Sequence, residues 1–315
     1  DNNTFVGYYA GAANTTGGVN TAVGHNTLYS NTTGEYNTAI GAKALYNNTT
    51  PDRNTAVGYE ALYDLTTGAH NVAIGAYALT NQTTANYNVA VGDYCGPAVT
   101  TGHKCVFVGN EAGKVNTTGY YVTAVGANSF EDADATSNTG LGHQSGMNVT
   151  SGSGNTCLGR GAGNNITSGS NNTCIGQDST STNAGGSNVF TLGNSYISFL
   201  RCNETNISSL SDQRDKTDIV DLTAGLAFVN SLKPRQFKWQ SRDGNIKDGE
   251  TRAGFIAQEL QTAQADYKFL DLVLDRDPDR LEATQNNLLP TLVKAIQELS
   301  AENTALKARL DAAGL

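Results

Sequence analysis

The chain has 315 residues, with 20 Lys and Arg against 29 Asp and Glu, for a formal charge of −9. That length allows two or three domains, and the acidic balance argues against a nucleic-acid partner. No apolar run is long enough to span a bilayer and no secretory signal is present, so membrane insertion is not expected; the first residue is Asp rather than Met, which reads as a fragment or a processed product.

Composition changes sharply along the chain. Residues 1–210 hold 6 basic and 12 acidic residues and 30 of the 35 glycines, whereas 211–315 hold 14 basic and 17 acidic residues and 5 glycines. Such a shift places a domain boundary near 205–215. The cysteines (Cys95, Cys105, Cys157, Cys174 and Cys202) form no C-x-x-C pair. That speaks against a zinc or thioredoxin-like motif and reads as free thiols of a protein assembled in a reducing cytosol.

The first part is an array. The segment N-T-A-V-G recurs at 20–24, 37–41 and 54–58, with variants at 71–75 and 88–92. The closing glycines run from Gly7 through Gly24, Gly41 and Gly58 to Gly193, twelve in all, every step being 17 residues except one of 16. The residue before each glycine is aliphatic (Val6, Val23, Ile40 and onward to Leu192), and the one before that is mostly Ala. Alternation in a strand puts the aliphatic column and the Thr/Val column two earlier on one face. One short strand per repeat cannot fold alone, so the units are expected to stack as coils ~4.8 Å apart. Twelve coils then span roughly 55–60 Å. The aliphatic ladder is expected to be buried, and Ala44-Leu45, Ala61-Leu62 and Ala78-Leu79 to supply a second wall. Asn stands four before the glycine in nine of twelve copies and is expected to hydrogen-bond along the stack.

These repeats resemble the heads of YadA-like trimeric adhesins, over about residues 3–193. The resemblance implies a parallel β-roll, three of which pack side by side. The period here is longer than in those heads. Such repeats also occur on phage fibres.

Other features of the array have plain readings. The N-x-[ST] sequons, such as Asn14, Asn31 and Asn48, fit turns between coils better than glycosylation. Cys157 and Cys174 share a column one coil apart; a bridge is geometrically open to them, but a ladder of small buried side chains is the simpler arrangement. His25, His70, His103 and His143 form no ligand cluster, so neither metal nor cofactor is expected. Glu131, Asp132 and Asp134 read as an acidic loop rather than a glycosidase pair.

The repeat dies out over 194–210, read as a linker. Then comes Ser211-Asp212-Gln213-Arg214-Asp215-Lys216-Thr217-Asp218-Ile219. Leu226 to Pro234 reads as a helix stopped by proline, Gln236 to Trp239 as a strand, and 254–260 as G-F-I-A-Q-E-L. At 288–310, Leu289, Leu292, Ile296, Leu299, Asn303, Leu306 and Leu310 alternate steps of three and four, the a/d seam of a coiled coil. Asn303 at an a position costs stability and sets register. A helix packed on its own domain through this stripe is the alternative. The fold class expected is therefore mainly β: a solenoid of about twelve coils at 1–193, the linker, and a small α+β domain at 211–315 ending in a long helix.

The opening S-D-x-R-x-K-x-x-I, the G-F-I-A-Q-E segment and L-x-P-x-L-x-x-A-I-x-E-L resemble the peptidase S74 family, the intramolecular chaperones of endosialidases and other phage tail spikes and fibres. The resemblance covers 211 to about 310. It implies a Ser–Lys dyad: Ser211 attacks the carbonyl of Leu210, in its own or a neighbouring chain, and Lys216 takes the proton. Arg214 matches the family's arginine and would stabilise developing charge or orient the dyad; Asp212 would order the turn. From spacing alone, a capped turn beside a solvated lysine is the better reading; the match across the domain favours cleavage. Asp215 stands where an apolar residue is common in the family, which implies slower reaction.

Together these readings describe the distal part of a phage fibre or spike, a homotrimer joined to upstream virion parts and facing a host receptor. It would be assembled in the host cytoplasm and carried on the virion. A fragment of a bacterial trimeric adhesin without cleavage is the alternative, and a polysaccharide-degrading spike is a third reading for which no acidic site is visible.

Overall fold

The computed structural model describes residues 2–197, 200–201, 211–238, 250–275 and 281–314. It divides into two compact units, residues 1–198 and 199–315.

The first unit is a parallel β-solenoid. Twelve three-residue strands, β1 (Thr4–Val6) to β12 (Phe190–Leu192), pair in sequence order as one sheet. Each strand sits in register with the equivalent residues one coil on, as in Thr21↔Thr38, Ala22↔Ala39 and Val23↔Ile40. The closing glycines have a backbone reason. Gly41 has φ +125°, and a Cβ there would lie 2.5 Å from the Gly58 carbonyl oxygen of the next coil.

The asparagine column acts as the mortar. Asn37 donates through Nδ2 to the Pro51 carbonyl at 2.9 Å, and its Oδ1 accepts the Asn54 amide at 3.0 Å. Asn54, Asn71 and Asn88 repeat the pattern. Each side chain thus satisfies two buried backbone groups that no ladder bond reaches.

One expectation is corrected. The strand residue that points into the coil is the middle one, Ala22, Ala39, Ala56, Ala73, Ala90 and their successors as far as Cys174, all buried. The aliphatic column faces outward: Val6, Ile40, Ile74, Leu141 and Leu192 are 40% or more exposed, and the others are half-buried. The reason is volume. The opposite wall already fills the coil with Leu28, Leu45, Leu62 and Leu79, leaving room only for a methyl. Where the strand carries Phe107, the facing position is Gly113, whose Cβ would come within 2.3 Å of the ring. Where the wall carries Phe130, the strand offers Gly140. Large and small exchange sides to keep the packing full.

The single 16-residue step is absorbed at Asp134. In several coils three consecutive amides share one carbonyl, as Thr15, Thr16 and Gly17 share that of Thr32. In the short coil the amides of Thr117, Thr118 and Gly119 donate instead to Asp134 Oδ1, at 3.0, 2.8 and 3.1 Å. Partial burial pushes the Asp134 carboxyl up. The Thr117 hydroxyl and these amides outweigh it and hold the group below the usual carboxylate range. A depressed folded value means that the stabilisation is present above the ordinary value of about 4 and is lost as pH falls through the folded value. Asp134→Ala should therefore melt below the wild type at neutral pH, with the difference closing in acid. Thermal melts of both across pH check this; a gap that does not shrink in acid refutes it.

In the second unit, α1 (Leu226–Ser231) is followed by the antiparallel pair β13 (Arg235–Lys238) and β14 (Thr251–Gly254), then α2 (Ala257–Ala263). A short pair, β15 (Val273–Leu274) and β16 (Glu282–Ala283), precedes α3 (Leu289–Ala312). Ala224, Phe228, Leu260, Leu270, Leu272, Val273 and Leu288 form its core. Arg235 grips Glu259 with two hydrogen bonds of 2.9 and 2.5 Å, tying β13 to α2. Trp239 lies outside the described residues.

Candidate functional site

The stretch from Ser211 to Lys216 is a hydrogen-bonded device six residues long. A single 3-10 turn, Gln213–Asp215, is capped by Asp212, whose carboxylate accepts the Arg214 amide at 2.8 Å. Lys216 leaves the turn extended, with φ −128° and ψ 140°. The reversal brings its side chain back over the start, and Lys216 Nζ donates to Ser211 Oγ at 2.6 Å. The turn thereby converts a separation of five residues into direct contact. A neutral amine at this position would accept the serine proton and leave an alkoxide-like nucleophile.

Arg214 is engaged elsewhere. Its Nε and a terminal nitrogen lie 3.0 and 2.6 Å from the Asp212 carboxylate. That guanidinium holds the Asp212 carboxyl below its usual range. In this chain Arg214 fastens the capped turn rather than reaching Ser211. Asp215 lies on the turn and makes no ion pair with Lys216. Ser211 and Lys216 are both exposed to solvent. Leu210 and Cys202 lie outside the described residues.

The seven seam residues are brought onto one face of α3 and left uncovered. Leu289 and Ile296 are 66% and 67% exposed, Leu299 is 53%, and Leu292, Asn303, Leu306 and Leu310 are exposed too. The helix meets its own domain through another face. Thr291 and Ala295 are its buried residues, and Glu298 accepts the Leu226 amide at 2.7 Å. Gly225 makes room for that carboxylate, since a Cβ there would lie 2.2 Å from Glu298 Oε2.

On the shaft, the four described cysteines are buried and unpaired. Burial pushes the thiols of Cys95 and Cys157 up to about 12, so none is poised as a nucleophile. Sequence reasoning missed the shaft's aromatic columns. Tyr29, Tyr46 and Tyr63 stack at 5.0 and 5.1 Å, nearly parallel. At the left-handed corner before each strand, Arg53 lies over Tyr36, His70 stacks on Tyr87, and Lys104 lies over Tyr121. The signal was available, because ring residues recur in the same 17-residue register.

Residues 211–269 match the family model of peptidase S74, the chaperone of endosialidase. The match begins on Ser211 and stops short of α3, whose likeness to the family rests on its own residues. No curated protein matches the chain. A β-solenoid followed by a segment that matches the S74 chaperone model fits a tail-fibre-like protein.

Proposed function

We propose that the chain is the distal part of a phage tail fibre or spike, a homotrimer whose C-terminal domain directs assembly and is then released by cutting between Leu210 and Ser211. The observation that carries the trimer is the pair of uncovered apolar tracks, the heptad seam of α3 and the aliphatic ladder of the shaft. A soluble chain gains by covering both, and like surfaces on three copies cover one another.

The order of events follows from contact topology. Side-by-side packing of solenoids is non-local and prone to slipped register. A C-terminal domain that associates first raises the effective concentration of the three shafts and aligns them.

The cut uses the dyad. Ser211 Oγ adds to the Leu210 carbonyl carbon, Lys216 takes the hydroxyl proton and returns it to the departing Ser211 nitrogen, and the chain is held as an ester. Water then splits the ester, leaving a carboxylate on Leu210 and a free amine on Ser211. A lysine is a base only where surroundings exclude water, and a neighbouring chain supplies that cover on assembly. Loss of the chaperone leaves a shaft that persists by a high barrier to opening. The shaft then serves as a host-attachment structure on the virion, joined to upstream parts and facing a surface receptor. Buried unpaired thiols fit assembly in the reducing host cytoplasm.

The alternative, a bacterial trimeric adhesin fragment, accounts for the solenoid but gives no role to the 2.6 Å Ser211–Lys216 contact. Light scattering and intact mass on freshly expressed protein test the proposal. The native particle should hold three chains, each 33.0 kDa before cutting, and the denatured sample should contain two pieces that meet at 210/211. A single-chain particle defeats the trimer; an intact trimer defeats the cut.

A further inference from the structure

Two apolar residues stand uncovered beside the Ser211–Lys216 turn. Asp218 adopts a left-handed conformation, with φ 54°. The chain leaves that corner into Ile219 and Val220, which are 63% and 85% exposed. Leu222 then packs against the core of the domain. Three residues of chain reach about 10 Å at most, so a body seated on Ile219 also lies over Lys216. A surface suited to this pair exists on the same unit. Asp221, Leu222, Leu289, Pro290, Val293 and Lys294 line a groove along the start of α3. Neither Ile219 nor Val220 fills it in its own chain. Leu289 belongs to the seam, so the groove continues that apolar track. Val293 follows the d position Leu292, on the flank where coiled coils commonly carry charge, yet it is apolar and 48% exposed. The rim carries Lys294, whose contact with Glu298 is a loose 3.7 Å, and Asp218 at the head of the exposed pair supplies the opposite charge.

We propose that Ile219 and Val220 form a strap that packs into this groove on a second copy of the chain, against its Leu289 and Val293, and that the contact draws water away from Lys216. Pairing through the seam brings the groove of one copy up to the strap of another. Apolar side chains then meet an apolar floor and an acidic head meets a basic rim. Ile219 and Val220 are positioning residues, because they act through Lys216 and touch none of the reacting atoms. Burial beside a neighbour is what lets a lysine lose its charge and serve as a base. The inference rests on the trimeric, self-cutting reading and deepens it by naming the residues that cover the lysine.

Ile219→Ser with Val220→Ser tests it on the full chain. Both side chains are exposed in one chain, so the domain should fold, and the untouched seam should still give a three-chain particle by light scattering. At about pH 7.5 the cut should slow by at least about tenfold, because a solvated lysine is almost wholly charged there. The uncut trimer, moved to about pH 10, should then split at 210/211, since roughly a third of a solvated lysine is neutral at that pH. The other charged groups of the turn are Asp212, Arg214 and Asp215, and carboxylates and guanidinium groups keep their charge between these values. Adding Lys216→Ala should remove the cut at both values. Val293→Asn, on the receiving side, should behave like the strap variant. The proposal is overturned if either variant cuts at the wild-type rate at pH 7.5, stays whole at pH 10, or falls to single chains. A wild type that is a single chain or never cuts defeats the underlying reading instead.

Discussion

Ser211→Ala should leave every chain whole. The substitution removes one exposed oxygen and its bond to Lys216, so the capped turn and the domain core remain. Without the nucleophile the cut should slow by at least about a thousandfold, the scale on which single-nucleophile losses act. Lys216→Ala should behave alike, because an unassisted serine hydroxyl is a poor nucleophile at neutral pH. Lys216→Arg separates the base from its look-alikes. A guanidinium keeps the charge and the hydrogen bond but does not become neutral in water, so it should also leave the chain whole. If the arginine variant cuts, Lys216 acts by positioning or charge and the proton-transfer step is wrong. Intact mass against time after synthesis distinguishes these outcomes. All three variants should still assemble, since none touches the seam.

Part of this was readable in the residues because the physics repeats. A coil has to lie on its neighbour, so the closing glycines and the asparagines recur every 17 residues, and the register reports the solenoid directly. The seam of α3 is equally legible, since seven residues in steps of three and four describe one stripe. What failed was the choice of inner face. A strand alternates, and with Thr-Ala-Val the larger apolar residue looks like core. That inference assumes the chain buries its own apolar surface. Here Leu28, Leu45 and Leu62 occupy the interior from the far wall, and Val and Ile are turned outward for something else to cover. A strand apolar on both faces is expected when both are covered, and that was the available clue. Phe107 facing Gly113 was unreadable for a different reason, because the two columns belong to opposite walls and the exchange makes sense only once they meet. Spacing was also silent on whether Lys216 returns to Ser211, a fact decided by the Asp212-capped turn.

Ile296→Glu with Leu299→Glu should reduce the particle to single chains. Both side chains are more than half exposed in one chain, so the helix and its domain do not depend on them. The contacts that hold α3 to its own domain, through Thr291, Ala295 and Glu298, lie on another face. In a three-stranded seam the same two residues are buried in every chain. Six buried aliphatic side chains at about 1.5–3 kcal/mol each amount to on the order of 10 kcal/mol, and carboxylates in their place add desolvation and mutual repulsion. That exceeds what a micromolar assembly has to spare, about 8 kcal/mol. Light scattering should give one third of the wild-type mass, while circular dichroism retains the helical signal of the C-terminal domain. Two further consequences separate this scheme from a seam that merely decorates the helix. The cut at 210/211 should disappear although Ser211 and Lys216 are untouched, because the dyad then stays in water. The shaft of the single chain should also bind a dye for apolar surface more strongly than the wild-type particle does, because its aliphatic ladder is left uncovered. A double variant that still cuts as a monomer would show that one chain alone dries its lysine, and the neighbour's part in the mechanism would have to be dropped.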